Sequence, residues 1–496
     1  AQRWVDPADC KKGLVIHGGL GEILLLAGRY EQAEAQLQIA LRLAQSPLEK
    51  ARVHQQIGEL AFKRGHFAEA ALGYEQALAA IGVLVPRNFA TMLWGLLAQT
   101  AIQAIHTSLP DHWIARRGTP SELDRLKLQL LSRLSHVYWF SRHKLWTLVN
   151  HLRSLNEAER YAPSETLAAV YSEHGPGMSL LCWFGRAHRY VRRSLEIREQ
   201  SGNVWGQGKS RHYLSVVLLA ECRFQESIET ATRAVELLRK TGDSWEMNMA
   251  RYQAANAYYR IGRYAEAAEA ASRMYDCGRE IGDLQATGIS LDVWARTDPK
   301  SLPLEIVAQE AARERPDAQS HAQTQLAYAV MLLHHDRIDD AIRTLQDAIE
   351  RCRDAGHLNT YIRPCYAWLG TALRRRAEAT DCREGRKLRS RVEVARRAVQ
   401  RGSRIARGFP ADRAHCFREA AILAAIRGET RRAARLLQKS LNAACRHDQI
   451  AEEYESLRVL QNLHRGERKL LGELPLSRRR RLEQLRESLA GSLKFK

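Results

Sequence analysis

Phosphate binding is the first chemistry that the residues suggest. Asn203-Val204-Trp205-Gly206-Gln207-Gly208-Lys209-Ser210 ends like the phosphate-cradling loop G-x-x-x-x-G-K-[ST]. Such a loop cradles phosphate oxygens with backbone N–H groups after a buried strand. Here Asn203 stands where the first glycine belongs, and Ser194-Leu-Glu-Ile-Arg-Glu-Gln200 before it reads as helix, so no nucleotide site is expected. Metal chemistry fares no better, because His174 and the pair His334-His335 are isolated and no H-E-x-x-H occurs. Cys10, Cys182, Cys222, Cys277, Cys352, Cys365, Cys382, Cys416 and Cys445 include no C-x-x-C and read as free thiols of a reducing cytoplasm. Glu157 and Glu159 lie about 200° apart around a helix and cannot share a substrate. G-x-S-x-G and H-R-D motifs are missing too, so no catalytic residue, cofactor or metal ligand is assigned and a non-enzymatic protein is expected. Tyr138, Trp139, Phe140, Trp146, Trp183 and Phe184 would line an aromatic ligand pocket or pack a core, and their density favours the core.

The elements that would position any site are helices. In 496 residues, 13 prolines and 31 glycines are too few for a many-stranded sandwich, while 45% hydrophobic and 27% charged residues suit a folded chain with a large core. No run approaches 18 apolar residues, so no membrane span is expected. Lys11-Lys12 before Gly13-Leu14-Val15-Ile16 resembles the start of a signal peptide, but His17 and Glu22 interrupt it. The opening at Ala1 suits a fragment or a processed chain.

Positive charge is local. Residues 371–496 hold 32 Lys+Arg against 15 Asp+Glu, or +17 of the total +20. Its clusters include Arg374-Arg375-Arg376 and Arg478-Arg479-Arg480-Arg481, a basic patch suited to nucleic-acid backbone or acidic partners, or else a solvated helical surface.

Internal repeats organise the chain. Leu20-Gly21, Gly28-x-Tyr30-x-x-Ala33 and Ala40-Leu41 match Ile57-Gly58, Gly65-x-Phe67-x-x-Ala70 and Ala77-Leu78 at an offset of 37. Farther on, Gly202-Asn203-x-Trp205, Gly242-Asp243-x-Trp245 and Gly282-Asp283 recur every 40 residues. A helical pair cannot bury its own apolar face, so stacking is obligatory. The pattern resembles the tetratricopeptide repeat, and the fold class expected is all-α: an α-solenoid, a superhelix of antiparallel helix pairs about 37–40 residues long. The divisions expected are 1–86 (N-terminal repeats), 87–200 (irregular helical repeats), 201–297 (regular repeats), 298–370 (repeats after a break carrying Pro299, Pro303 and Pro316) and 371–496 (basic C-terminal repeats and tail). Residues 377–391 read as a polar insertion, and the tail from Leu471 as a loop and a short basic helix.

The opening turns, with Ser132-Arg-Leu-Ser-His-Val-Tyr-Trp-Phe140, Asn156-Glu-Ala-Glu-Arg-Tyr161 and Ser194-Leu-Glu-Ile-Arg198, are similar to the repeat regions of bacterial STAND-class signalling ATPases. These include MalT-like regulators and fusions of a serine/threonine kinase, an ATPase and a repeat region. The resemblance implies a cytoplasmic sensor or docking arm regulating an attached or associated ATPase, kinase or other effector. A MalT-like regulator would end in a helix-turn-helix, but residues 476–486 offer one basic helix. In this repeat class the first helix of each pair lines a concave groove, which places Lys209, His212, Tyr252, Asn256, Tyr259 and Arg260 there as candidates for a protein or peptide partner. The rival functions are non-specific nucleic-acid binding by the basic region and an enzyme site within residues 86–200.

Overall fold

The computed structural model describes residues 10–86, 88–109, 111–114, 118–142, 144–315, 317–381, 383–465 and 475–493, so Cys382, Pro316 and residues 471–474 at the start of the tail lie outside the described residues. Antiparallel pairs follow one another: α1 (Cys10–Leu26) with α2 (Tyr30–Leu43), then α3 (Pro47–Lys63) with α4 (Phe67–Ala80). After α5 (Phe89–Ser108) and the single turn α6 (Asp111–Ile114) come α7 (Glu122–Ser141) with α8 (Lys144–Ala158), and α9 (Glu165–Leu180) with α10 (Phe184–Gln200). The series continues as α11 (Val204–Ala220) with α12 (Phe224–Thr241), α13 (Ser244–Arg260) with α14 (Tyr264–Ile281), and α15 (Leu284–Thr297) with α16 (Leu304–Ala312). It ends with α17 (Ala318–His334) and α18 (Ile338–Asp354), α19 (Arg363–Glu378) and α20 (Gly385–Ile405), α21 (Arg413–Ile426) and α22 (Thr430–Arg446), and α23 (Ile450–Arg465) and α24 (Leu476–Leu493).

Each first helix touches the next first helix, from α7 through α9, α11, α13, α15, α17, α19 and α21 to α23. The molecule is therefore an all-α, tetratricopeptide-like solenoid with an inner row of first helices. Two kinds of turn make the repeat. Gly28, Gly65 and Gly262 adopt positive φ between the helices of a pair, and Cys182, Cys222 and Asp336 take the same left-handed conformation at the equivalent turns. Between pairs, Gly202, Gly242 and Gly282 are left-handed, and Asn203, Asp243 and Asp283 then cap the next helix. Small residues set the spacing of second helices: Ala33, Ala40, Ala70, Ala77, Ala267, Ala341 and Ala348 are wholly buried.

Departures from the regular plan have local causes. The row passes from α3 and α4 directly to α7, while α5 packs mainly on α8, with Gln103 and Thr107 also bonded to Tyr190 and Arg186 of α10, so α5 and α6 stand outside the regular row. The proline-bearing break leaves α16 with nine residues, entered through Pro303. The polar insertion expected over 377–391 is mostly helix: α19 runs to Glu378 and α20 begins at Gly385. The basic tail helix is not merely solvated, because Leu482, Leu485 and Leu489 of α24 bury one stripe. Leu489 lies where a side chain on Gly262 would sit.

Successive turns of the superhelix touch. The Lys63 ammonium meets Asp243 at 3.0 Å, Arg260 meets Asp412 at 2.7 Å, and Tyr361 donates to Gln253 at 2.8 Å.

Candidate functional site

The six groove candidates stand on the inner row, Lys209 and His212 on α11 and the others on α13. All but the half-buried Tyr259 are buried. Lys209 and His212 both reach the Glu246 carboxylate at 3.3 Å, and Lys209 also lies 5.2 Å from the Trp205 ring. Burial alone would raise the Glu246 pKa, but the Lys209 charge and the His212 hydrogen bond hold it well below the usual range. Tyr252 donates to Asp292 at 3.2 Å, and Arg296 holds the same carboxylate at 2.7 Å. Asn256 turns its amide back to the Tyr252 carbonyl at 3.1 Å. The Tyr259 ring faces two guanidiniums, Arg296 at 4.4 Å and Arg260 at 5.5 Å, while Arg260 is spent on Asp412 and the Ala411 carbonyl. Instead of facing an open groove, these residues form the wall itself, because each cation has a carboxylate beside it, from the same helix, the next one or the next turn of the superhelix.

The same device recurs farther along. Arg374 on α19 reaches Glu419 on α21 at 2.6 Å, and Arg418 pairs with Glu452 on α23. Sequence reasoning missed Glu246, Asp292, Asp412, Glu419 and Glu452. For Glu246, Asp292 and Glu419 the signal was available, since each is the single carboxylate of its first helix and a buried carboxylate calls for a cation; Asp412 precedes α21 and Glu452 is one of three acids in α23, so neither stands out.

The other candidates disperse. Asn203 is the cap of α11, accepting from the Gly206 N–H at 2.8 Å, and the loop-like residues after it are helical. The glycines serve packing, since a methyl on Gly206 would lie 2.7 Å from Arg198 and one on Gly208 2.7 Å from Leu238. Phe140 stacks on Phe67 at 4.5 Å beside Tyr138 and Trp146, Phe184 packs against Met178 and Val191, and Trp183 is exposed, so no aromatic pocket forms from the six. Trp139 is taken by Lys144, 4.2 Å from its ring. His174 is buried with Nε2 accepting from Arg186 at 2.9 Å, which leaves Nδ1–H to donate to His151 Nε2 at 2.8 Å. Glu157 and Glu159 bond apart, to Lys127 and His106. His334 and His335 contact each other edge to face. Among the described residues no group of three or more His, Cys, Asp or Glu is arranged to hold a metal, and no helix is long and apolar enough to cross a membrane.

Nor do the basic clusters form one patch. Arg375 is held by Asp336 at 2.7 Å and Arg376 by Asp339 at 3.4 Å, which with the Arg374 pair neutralises that cluster. On α24, Arg481 pairs with Glu453 at 2.8 Å and Arg478 donates to the Gln438 side chain, while Arg479 and Arg480 are exposed.

A different feature emerges at α20–α22. One hollow of about 140 Å³ has Val399, Phe417, Ala420, Leu423 and Leu436 in its floor and Arg396, Arg427 and Arg432 at its rim. Phe417 also lines a second hollow of about 270 Å³, bordered by Arg413, Lys439, Arg446 and His447. Arg396 is held by Glu393, and Glu429 serves Arg427 and Arg432, but Arg413, Lys439 and Arg446 carry no ion pair among the described residues. The field there is positive: burial, then Arg446 and Arg413, lower the His447 pKa against the single opposing carboxylate of Asp448. No regular spacing marks these residues in the sequence. They converge because α22 carries no acidic residue on a helix whose apolar stripe is buried against α21.

No known family's sequence profile matches the chain, and no curated protein matches it. Solved structures do. A Rap protein complexed with competence and sporulation factor is 12% identical, with 87% of this chain covering 98% of that one at a TM-score of 0.42. Yeast Tom70 is 15% identical over 98% of this chain and 93% of its own, with a TM-score of 0.38. Cut9 in the Cut9–Hcn1 assembly of the APC/C is 13% identical over 95% and 88%, with a TM-score of 0.39.

Proposed function

We propose that this chain is a non-enzymatic scaffold, a sensor or docking region that regulates an attached or associated signalling ATPase or other effector by binding an acidic protein segment. One observation carries the reading: the α20–α22 cleft joins an apolar floor to three cations without carboxylate partners, where the inner wall pairs its own. A short acidic helix with one aromatic or aliphatic anchor suits such a surface. Its anchor would occupy the Phe417 hollow, and its carboxylates would meet Arg413, Lys439 and Arg446. The six inner-wall residues then act indirectly, by fixing the curvature that presents the cleft.

The test is fluorescence anisotropy with a labelled peptide of Glu, Leu and one Phe. The triple variant Arg413→Glu, Lys439→Glu, Arg446→Glu should weaken binding by about a hundredfold with an unchanged melting profile. The control pair Arg239→Glu, Lys240→Glu on α12 should have no effect. Equal affinity of wild type and triple variant, or preference for a scrambled RNA over the peptide, would overturn the reading.

A further inference from the structure

Second helices of the solenoid repeat one electrostatic device at their start. In α12, α14 and α18 the residue before the helix is an arginine that pairs with an acid of the first turn: Arg223 with Glu226, Arg263 with Glu266 and Arg337 with Asp340. The acid lies at the positive end of the helix dipole, where it is favoured. In α20 and α22 the order is inverted. Glu384 precedes Lys387 and Glu429 precedes Arg432, so the first turn carries a cation against the dipole. These two helices flank the smaller hollow of the cleft, so the inversion sets cations where the apolar floor is open.

Glu429 does not cap its own helix, because its side chain makes no cap hydrogen bond. Instead it meets Arg432 at 2.9 Å and Arg427 at 3.0 Å, and its charge also reaches Arg396. Among the described residues lining the two hollows it is the one carboxylate. A carboxylate laid across two guanidiniums, beside a floor of Val399, Leu423 and Leu436, makes the contact that an acidic ligand would make.

Resting on the proposed dock for an acidic segment, we infer that Glu429 is an internal stand-in for a carboxylate of that segment. The smaller hollow is then a second subsite, and the cleft selects a segment with two pairs of acidic and apolar residues over a segment with one. Shape supports two pairs. Phe417 lines both hollows, so one helix laid over that ring reaches each of them. The larger, about 270 Å³, takes the aromatic anchor, and the smaller, about 140 Å³, suits a single aliphatic side chain. The carboxylate next to that aliphatic residue takes over Arg427 and Arg432. Exchange costs little, because both guanidiniums and the Glu429 carboxylate are partly in solvent. Yet Glu429 is tethered, and its high effective concentration keeps out a lone acid that brings no apolar group. The residue thus discriminates against the wrong ligand as well as making room for the right one.

The test is fluorescence anisotropy of the full chain with two labelled helical peptides. The single-anchor peptide carries Glu residues around one Phe, with Ala elsewhere. The double-anchor peptide adds a Leu-Glu unit two turns from the Phe, placed before it in one version and after it in another. Glu429→Gln should tighten the better double-anchor version by about tenfold and the single-anchor peptide by about twofold. Adding Arg432→Gln to that variant should cancel the extra gain. Urea midpoints should stay where they are, since the pairs being changed are exposed. Equal tightening of both peptides would mean that Glu429 only lowers the general positive field, and tightening of neither would mean that it holds no ligand's place; each result overturns the inference while leaving the dock intact. A single-anchor peptide that binds wild type and the Arg413, Lys439 and Arg446 triple variant alike overturns the dock itself, and the second subsite with it.

Discussion

The inner wall of α11–α15 and the outer face of α20–α22 use the same residue types for opposite ends. On the wall, Lys209, Arg260 and Arg296 each lie against a buried carboxylate: Lys209–Glu246 bridges neighbouring helices, Arg260–Asp412 successive turns of the superhelix, and Arg296–Asp292 one turn of α15. At the cleft, Arg413, Lys439 and Arg446 border a hollow that shares Phe417 with the neighbouring apolar-floored one, and the nearby acids are Asp448 and the already engaged Glu429. Desolvation explains the contrast. A cation inside the superhelix is tolerated only with its counter-charge, whereas one at a water-filled rim keeps its hydration and remains available to a ligand. Net charge therefore says little about function until buried pairs are subtracted.

The sharpest way to break this comparison is to remove one carboxylate from each region. Glu246→Ala should cost about 3–5 kcal/mol, because Lys209 and His212 would lose their shared counter-charge in a buried site. Glu393→Ala, on the outer helix α20 where it meets Arg396 and Arg397 in solvent, should leave the denaturation midpoint where it is. Urea unfolding of both variants decides the matter, and equal shifts would mean that the wall does not depend on its pairs.

Acid should separate the regions next. His136, packed on Phe62 and Phe140 inside the wall, is pushed down to about 3 by burial and then by Arg133 and Lys209. Its folded value lies below the ordinary 6.5, so its contribution is complete above pH 6.5 and is lost as pH falls toward 3. By pH 4 the loss from this residue is about 3 kcal/mol. His151, pushed down to about 4 mainly by burial, adds to the trend in the same window. Thermal unfolding between pH 7 and 4 should show melting temperature falling throughout, with the slope reduced by one proton in His136→Phe. A variant as acid-labile as wild type would show that this histidine is not held neutral by the wall.

How far the sequence disclosed this design depends on the kind of constraint. Turn glycines and interface alanines are legible because few residue types tolerate a left-handed turn or a close helix contact: Gly28, Gly65, Gly202 and Gly242 announce the pairs. Where Cys182, Cys222 or Asp336 takes the same backbone conformation, the pattern fades although the turn is the same. The groove candidates lie on the inner-row helices α11 and α13, but all except Tyr259 are buried there, and that exposure depends on superhelical pitch. Contacts such as Lys63–Asp243 and Arg260–Asp412 join residues 180 and 152 positions apart, a distance beyond any periodicity of one repeat. The exposure of Phe89, Trp94 and Leu97 on α5 was hidden for a related reason, because their apolar pattern reads as core until the row of first helices is seen to pass that helix by.

The smallest expected effect lies within the repeat itself. Asp243 and Asp283 occupy the same capping position one repeat of 40 residues apart. Asp243 binds Lys63 and accepts from the Trp205 indole at 3.1 Å, but Asp283 spends Oδ1 on the N–H groups of Gln285 and Ala286 and leaves Oδ2 buried without a hydrogen-bond partner. Burial accordingly raises the Asp283 pKa to about 6, with the two backbone bonds and the more distant Lys63 and Arg315 only partly opposing it. Because the folded value is above the ordinary 3.8, the stability linked to this proton is present below pH 4 and is lost as pH rises through 6. Asn caps a helix as well as Asp and carries no charge to desolvate, so Asp283→Asn should stabilise the protein by about 1–2 kcal/mol at pH 7. That advantage should vanish near pH 4, whereas Asp243→Asn, which strips Lys63 of its partner, should destabilise at neutral pH. If urea unfolding at pH 7 moved both variants the same way, the contrast between paired and unpaired carboxylates would not be what governs this wall.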